Sequence, residues 1–178
     1  MSRRDAAAFA EFATSRGRAL HRAAYLMVGD QQLAQDLVQE ALTKTYVAWP
    51  RLRDPGNAEA YCRKAITTTA ISWFRRKSWN NERPTESLPE PGSARSAAPD
   101  AAVAERDSLW RALEALPPRQ RAALVLRYYE DLSEAQTADA MGCAVGTVKS
   151  QVAAGLAKLR SRLGEDVELL SAEEAITR

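Results

Sequence analysis

Cysteine and histidine are nearly missing from this chain of 178 residues, which holds only Cys62, Cys143 and His21. Neither cysteine belongs to a CxxC pair, so a disulfide scaffold or a zinc site has little to build on. One imidazole leaves equally little for metal-dependent or histidine-dependent nucleophilic chemistry. The composition points away from an enzyme, and no cofactor is expected. Long apolar runs are missing too. The longest, Ala23 to Val28, is six residues, against about 20 for a bilayer span. The start, Met1-Ser2-Arg3-Arg4, leads into a mixed, charged segment and not into the apolar stretch of a secretory signal. The expectation is a cytoplasmic protein without membrane insertion. Alternating strand patterns of useful length are absent, and Ile66-Thr67-Thr68-Thr69 is the main β-branched cluster. What is present is helical periodicity, with 46% hydrophobic and 27% charged residues, ordinary for a chain that folds.

The net charge of +2 conceals a pattern. Residues 1–80 carry 13 Lys and Arg against 7 Asp and Glu, and residues 109–163 carry 8 against 5. Between them, residues 81–108 carry 3 against 6, and residues 164–178 carry 1 against 5. Two basic blocks flank an acidic stretch and precede an acidic tail. Such blocks suit two contacts with a polyanion, although two ordinary solvated surfaces would look the same. The acidic stretch also holds Pro84, Pro89, Pro91 and Pro99, four of the eight prolines. It breaks helices and has little to bury. The expected architecture is therefore all-α: two small helical domains, 5–79 and 102–163, joined by a flexible Pro-rich linker, 80–101. An acidic C-terminal tail, 164–178, follows and has room for one more short helix near 166–176.

Three helices are expected in the first domain. Residues 5–28 place Phe9, Phe12, Leu20, Ala24 and Met27 near one face. Gly29-Asp30 ends that helix and caps the next. Residues 31–49 carry a stripe of Leu33, Leu37, Ala41 and Ala48, with Pro50 as the stop. The turn-rich loop 51–56 follows, and Asn57 is a suitable N-cap for a third helix reaching about Ser78. In the second domain, a helix over 102–115 meets the break Leu116-Pro117-Pro118, and a second spans 118–130. Ser133 and Gln136 have capping-box spacing for a helix over 133–141. Gly142 ends it, and a last helix runs over 145–163.

The pattern in 133–163 is a helix–turn–helix, with Gly142 supplying backbone freedom at the corner. Val148, Val152, Leu156 and Leu159 face inward at helical spacing. Thr147, Lys149, Ser150 and Gln151 then point outward, beside Val145 and Gly146. Short polar groups, an amide and a cation at a helix N-terminus suit base edges and phosphates in a major groove. A plain helical hairpin with a solvated face gives the same spacing, but the capping box, the basic face and the second basic domain favour DNA. On the third helix Arg63, Lys64, Thr67, Ile71 and Arg75 recur away from the apolar face, ahead of the run Arg75-Arg76-Lys77 and Trp79. Cations and hydroxyls beside aromatics suit a strand with exposed bases, whereas Trp73 and Phe74 are better read as core. Asp36, Gln39, Glu40 and Thr43 form a polar, partly acidic face on the second helix. Such a face repels DNA and suits a protein partner or solvent.

Several strings together resemble a known family. They are Asp36-Leu37-Val38-Gln39-Glu40, the basic helix to Arg75-Arg76, Leu116-Pro117-Pro118-Arg119-Gln120-Arg121, Leu126-Arg127-Tyr128-Tyr129 and Val145-Gly146-Thr147-Val148-Lys149-Ser150. In this order, across a Pro-rich linker, they resemble the extracytoplasmic-function (ECF, group 4) sigma factors of bacterial RNA polymerase. The resemblance covers about 9–79 and 102–163. The end of the third helix, Ile71 to Trp79, is most similar to an actinobacterial branch.

The resemblance implies a non-catalytic subunit that directs promoter recognition and transcription initiation. Its first domain corresponds to sigma region 2 and its second to sigma region 4. Asp36, Gln39, Glu40 and Thr43 match the surface for the clamp helices of the polymerase β′ subunit, and the β flap is a further expected contact on the polymerase core. Asn57, in the loop 51–57, matches the segment that captures a flipped base of the −10 element. Arg63, Lys64, Thr67, Thr68, Arg75 and Arg76 match the strand-opening helix. Val145, Gly146, Thr147, Lys149, Ser150 and Gln151 match the start of the −35 recognition helix. An anti-sigma factor is a further partner that the resemblance admits. The sequence departs from the usual pattern at Thr67, Thr68 and Ser72, where Arg, Asn and Asp are common, and at Ala144 and Gln151. The main alternative is a free-standing helix–turn–helix regulator, against which the lack of a heptad or other dimer element counts. A decoy that binds polymerase without promoter DNA is a third reading.

Overall fold

In the computed structural model, the described residues are 3–52, 54–81 and 109–163. The linker residues 82–101 and the tail 164–178 lie outside them, as does the short helix expected near 166–176. Every described element is helical, and no strand occurs among the described residues. The all-α expectation holds.

Three helices build the first domain: α1 (Arg3–Val28), α2 (Gln31–Leu52) and α3 (Pro55–Asn81). Gly29 ends α1 at φ 76°, a left-handed conformation that glycine reaches without strain. Its N–H donates to the Tyr25 carbonyl at 2.8 Å. The Asp30 carboxylate then accepts the Leu33 N–H at 2.7 Å, which caps α2. Ala34, Leu37, Val38, Ala41, Thr45 and Trp49 are the buried positions of α2, at the three- and four-residue spacing of one helix face. α3 buries Ala58, Cys62, Ile66 and Ala70, each four residues from the last. Phe9, Phe12 and Trp49 close one end of this core, Phe9 meeting Trp49 edge to face with ring centroids 5.2 Å apart and Phe12 tilted against both.

Two boundaries differ from expectation. Pro50 does not stop α2, which runs on to Leu52. Proline near a helix end disturbs few hydrogen bonds, and Leu52 packs against the core, so tertiary burial overrides the local signal. α3 starts before Asn57, at Pro55, so Asn57 lies within its first turn and is not the N-cap. The Asp54 carboxylate accepts the Gly56 N–H at 2.9 Å instead.

The second domain begins with α4 (109–114), whose Leu109, Ala112 and Leu113 are buried with Leu116. Pro117 precedes α5 (Pro118–Leu124), which has proline in its first turn, where no N–H is needed. α5 does not continue as an α-helix to residue 130. It widens into a π-helical turn, Val125–Tyr129, closed by the Glu130 N–H on the Val125 carbonyl at 3.0 Å. The extra residue lets Val125 and Leu126 bury fully while Glu130 faces α3. α6 (Glu134–Met141) carries the full capping box: Ser133 Oγ accepts the Gln136 N–H at 3.2 Å, and Gln136 Oε1 accepts the Ser133 N–H at 2.8 Å. Gly142, at φ 61°, turns the corner into α7 (Val145–Leu163), completing the helix–turn–helix.

The two domains share one apolar core. Ile66 and Ala70 of α3 belong to the same buried cluster as Leu126, Leu132, Ala138, Met141 and Val148. Tyr25 of α1 stacks on Trp110 of α4 with centroids 4.8 Å apart.

Candidate nucleic-acid interface

The front of α7 stands on a rigid base. Val148 is fully buried, while Val145, Gly146, Lys149 and Ser150 are exposed and Thr147 and Gln151 half-buried. One turn thus anchors through Val148 and presents a mixed polar stripe. Lys149 Nζ lies 3.4 Å from Glu134 Oε2 of α6, a solvent-facing pair that a phosphate can replace at small cost. Lys158, Arg160 and Arg162 add exposed positive charge further along the same helix, Arg160 on the side of Lys149. The six residues expected at the −35 element therefore share one accessible helix end.

The residues expected at the −10 strand do not share one surface. Asn57, Arg75 and Arg76 are exposed. Arg63 is 13% exposed; its Nε donates to Glu130 Oε2 of the second domain at 2.7 Å and its Nη2 to Glu59 Oε1 at 3.0 Å. Glu59 also pairs with Arg16 at 3.2 Å. Lys64 Nζ donates to Asp139 Oδ1 of α6 at 2.7 Å. Thr67 is fully buried, and this corrects the outward placement read from spacing. α1 covers it: its hydroxyl donates to the Arg63 carbonyl at 2.9 Å and lies 3.9 Å from Met27 Sδ. Thr68, half-buried, donates to the Lys64 carbonyl at 2.8 Å. A hydroxyl turned back on its own helix does not require a strand as partner.

Trp73 and Phe74 are half-buried and meet edge to face at 4.9 Å. Lys77 Nζ sits 4.9 Å from the Trp73 ring centroid. The Arg121 guanidinium lies 5.4 Å from the Phe74 centroid and is itself nearly buried, so desolvation lowers its pKa while Glu114 opposes the shift. The interdomain acids Glu130 and Asp139 were not singled out from the sequence. Their partners lie up to 75 residues away, and nothing local marks them.

Asp36, Gln39, Glu40 and Thr43 are all exposed on one face of α2. Glu40 pairs with Lys44 at 2.6 Å, and Gln32 donates to Asp36 at 3.2 Å, so the face is ordered by its own neighbours. Beside it runs an apolar groove of about 590 Å³ lined by Phe9, Val38, Leu42 and Tyr46 together with Gln39 and Thr43. Val47, on the same helix, is 76% exposed. An acidic rim around apolar surface fits a protein better than DNA. The spacing did reveal the polar half of this face but not the groove, which needs α1 as its second wall. Among the described residues, no group of His, Cys, Asp or Glu is placed to hold a metal ion, and no helix is long and apolar enough to cross a membrane.

Residues 12–80 match the family model for Sigma-70 region 2, and residues 106–159 match that for Sigma-70, region 4. The RNA polymerase sigma-E factor of Streptomyces coelicolor is 41% identical over 157 residues, covering 87% of this chain and 85% of the relative. The ECF RNA polymerase sigma factor SigM of Mycobacterium tuberculosis is 31% identical over 160 residues, covering 90% and 79%. Among solved structures, the sigma factor RpoE of Bartonella quintana, in complex with the anti-sigma factor NepR, superposes with a TM-score of 0.67. It is 24% identical and covers 89% of this chain and 98% of that one.

Proposed function

This chain belongs to the sigma-70 family of RNA polymerase sigma factors, as a member of the ECF type, and from that premise we propose which of its surfaces carry the work. A sigma factor brings core polymerase to promoters and starts transcription, and that is the activity of this chain. It works by binding, without catalytic chemistry of its own, and in the cytoplasm where the polymerase is. The division of labour follows from chemistry. Val145, Gly146, Thr147, Lys149, Ser150 and Gln151 read the −35 duplex from the major groove. Direct readout needs hydrogen-bonding side chains that can approach base edges, which Thr147, Lys149, Ser150 and Gln151 supply at a helix end. Asn57, Arg63, Lys64, Thr68, Arg75 and Arg76 lie on the region that engages the opened −10 strand, with the cations on phosphates, whereas Thr67, buried beneath α1, does not face it. Extruding a base costs a few kcal/mol, which contacts to the flipped base and its backbone must offset.

Asp36, Gln39, Glu40 and Thr43, with the adjoining groove, dock on the clamp helices of the β′ subunit, and the second domain docks on the β flap. The domain limits 5–79 and 102–163, with the linker 80–101 between them, belong to the same proposal. An anti-sigma factor is a proposed partner, since the Bartonella relative was solved bound to one. The observation that carries the reading is the accessible polar stripe at the start of α7, anchored by buried Val148.

The test is run-off transcription by core polymerase on a pool of genomic promoter fragments, with and without the protein. Discrete transcripts requiring both components are expected. Sequence-specific duplex binding by the protein alone, with no new transcripts, would favour a free-standing regulator. In holoenzyme, Arg63→Ala should reduce open-complex formation; equal promoter opening would remove Arg63 from the −10 set.

A further inference from the structure

The middle of α1 and the start of α2 enclose a cleft of about 460 Å³ that none of the contacts proposed above uses. Gly17, Arg18, His21, Arg22 and Tyr25 of α1 line it, with Gln31 of α2. Arg18 and Arg22 are exposed and one turn apart, and His21 beside them is half-buried. Arg16, Lys44, Arg63, Lys64 and Lys149 each have a carboxylate within 3.4 Å. Among the described residues, no carboxylate pairs with Arg18, His21 or Arg22. Arg22 lies 5.9 Å from the centroid of the Tyr129 ring instead. Like charges at this helical spacing repel, so this turn of α1 gains from an anion laid across it.

The chain carries such an anion. The tail 164–178 lies outside the described residues, and its sequence holds Glu165, Asp166, Glu168, Glu173 and Glu174 against Arg178. It leaves α7 after Leu163, which packs on the cluster of Leu109, Leu113 and Leu159 together with Leu26 and Trp110. Trp110 stacks on Tyr25 at 4.8 Å, and Tyr25 lines the cleft. The tail thus departs from a cluster that reaches the cleft wall through Trp110 and Tyr25. Five extended residues reach roughly 17 Å, and Glu165, Asp166 and Glu168 all fall within that length. Lys158, Arg160 and Arg162 of α7 are nearer in sequence but form no single basic hollow. At about 100° per residue, Arg160 points away from Lys158 and Arg162.

We propose that the acidic tail 164–178 docks in this cleft, its carboxylates on Arg18 and Arg22, and competes with polymerase for the surface between α1 and α2. The cleft adjoins the apolar groove beside the acidic face of α2. Gly17 and His21 line both, and Gly17 has no side chain to divide them. A docked tail covers the near end of the groove and adds negative charge to a rim that is already acidic. A partner recruited by that face must displace it. Exposed ion pairs are individually weak, but attachment to α7 gives the tail a high effective concentration. The competition rests on the assignment of the α2 face to the clamp helices; the docking does not.

The test uses the full chain with the five tail acids neutralised: Glu165→Gln, Asp166→Asn, Glu168→Gln, Glu173→Gln and Glu174→Gln. Amide resonances of the isotope-labelled protein, compared with wild type, locate the tail. Changes are expected at Gly17, Arg18, His21, Arg22 and Gln31. They should fade near 1 M salt, where charge interactions reach only about 3 Å. Changes confined to Lys158, Arg160 and Arg162 would place the tail on α7 and overturn the proposal. No change outside the substituted segment would also overturn it, leaving the cleft to acids of the linker or to a nucleic acid. Fluorescence anisotropy with core polymerase reads the competition. The neutralised tail should raise core affinity about threefold, the scale of a few exposed pairs held at high effective concentration. That gain should vanish in protein that also carries Arg18→Gln and Arg22→Gln. Unchanged core affinity, or a gain that persists without the two arginines and so reports only net charge, would overturn the competition. If no form binds core polymerase the sigma reading itself fails, while the resonances still decide where the tail lies.

Discussion

Gly155 is where α7 rests on α5, and Gly155→Ala sets two effects of similar size against each other. Alanine is favoured over glycine inside a helix by about 1 kcal/mol. The added methyl, however, would stand 2.9 Å from Leu124 Cδ1, 3.2 Å from its Cγ and 3.5 Å from Gln120 Cβ. Leu124 is 2% exposed, in a cluster with Leu109, Leu113 and Leu159, so it cannot swing into solvent. Overpacking of this kind costs about 1–3 kcal/mol. The clash should win, with a net loss of about 1 kcal/mol. Gly17, in α1, is the control: nothing lies within 4 Å of its added Cβ, so only the propensity gain operates. Urea unfolding reads both. Gly155→Ala should lower the midpoint and Gly17→Ala raise it, each with an unchanged slope. Because α5 sets the seat of α7, Gly155→Ala should also weaken −35 duplex binding, and Gly17→Ala should not. A Gly155→Ala protein stabilised as much as Gly17→Ala would refute the close approach of these helices.

Ser133→Ala removes half of the capping box on α6 and should cost about 1 kcal/mol, read by thermal unfolding. Lys149→Ala should lower −35 affinity and reduce the salt dependence of duplex binding by about one phosphate contact. Its stability should shift by no more than about 0.5 kcal/mol, since its pair with Glu134 is solvent-facing. Burial pushes the Cys62 thiol up to about 11, against the weaker opposing effect of the Thr45 hydrogen bond. The folded state therefore keeps the proton longer than the unfolded chain. Its stability contribution is complete below about pH 9 and is lost as pH rises toward 11, by roughly 2–3 kcal/mol. Cys62→Ala should flatten this part of the stability profile, and the wild-type thiol should resist alkylation at pH 8 in the folded protein.

Local chemistry was legible in the sequence wherever donor, acceptor and backbone demand lie within a few residues. The Ser133–Gln136 box, the Gly142 corner and the Gly29-Asp30 junction all rest on short-range geometry. The helix faces followed from period, and of the stripe expected on α2 Leu37 and Ala41 are buried while Leu33 and Ala48 are half-buried. Pro50 misled because its local cost is small beside the packing of Leu52. Thr67 misled for a different reason. One turn of α3 is covered from two directions, and a single apolar stripe cannot announce a second buried face. The pairs of Arg63 with Glu130 and Lys64 with Asp139 span 67 and 75 positions, so neither could be found by spacing. The residues assigned from the family strings to the −35 stripe and to the acidic face of α2 each fall on one continuous, largely exposed helix surface.

The π-helical turn at Val125–Tyr129 works as a phase shifter in the chain. One residue advances a helix by about 100°, so the extra residue rotates everything after it relative to α5. Deleting a single position there would restore a smooth helix and turn the following side chains by that angle. Glu130 would leave Arg63, and the Leu132 N–H would lose its place on the Leu126 carbonyl, now 3.0 Å away. Substitutions in this turn should thus be far better tolerated than a one-residue deletion, even one that removes an exposed residue such as Asp131 just beyond it. The length of this segment, more than its composition, keeps the second half of the molecule in register with the first.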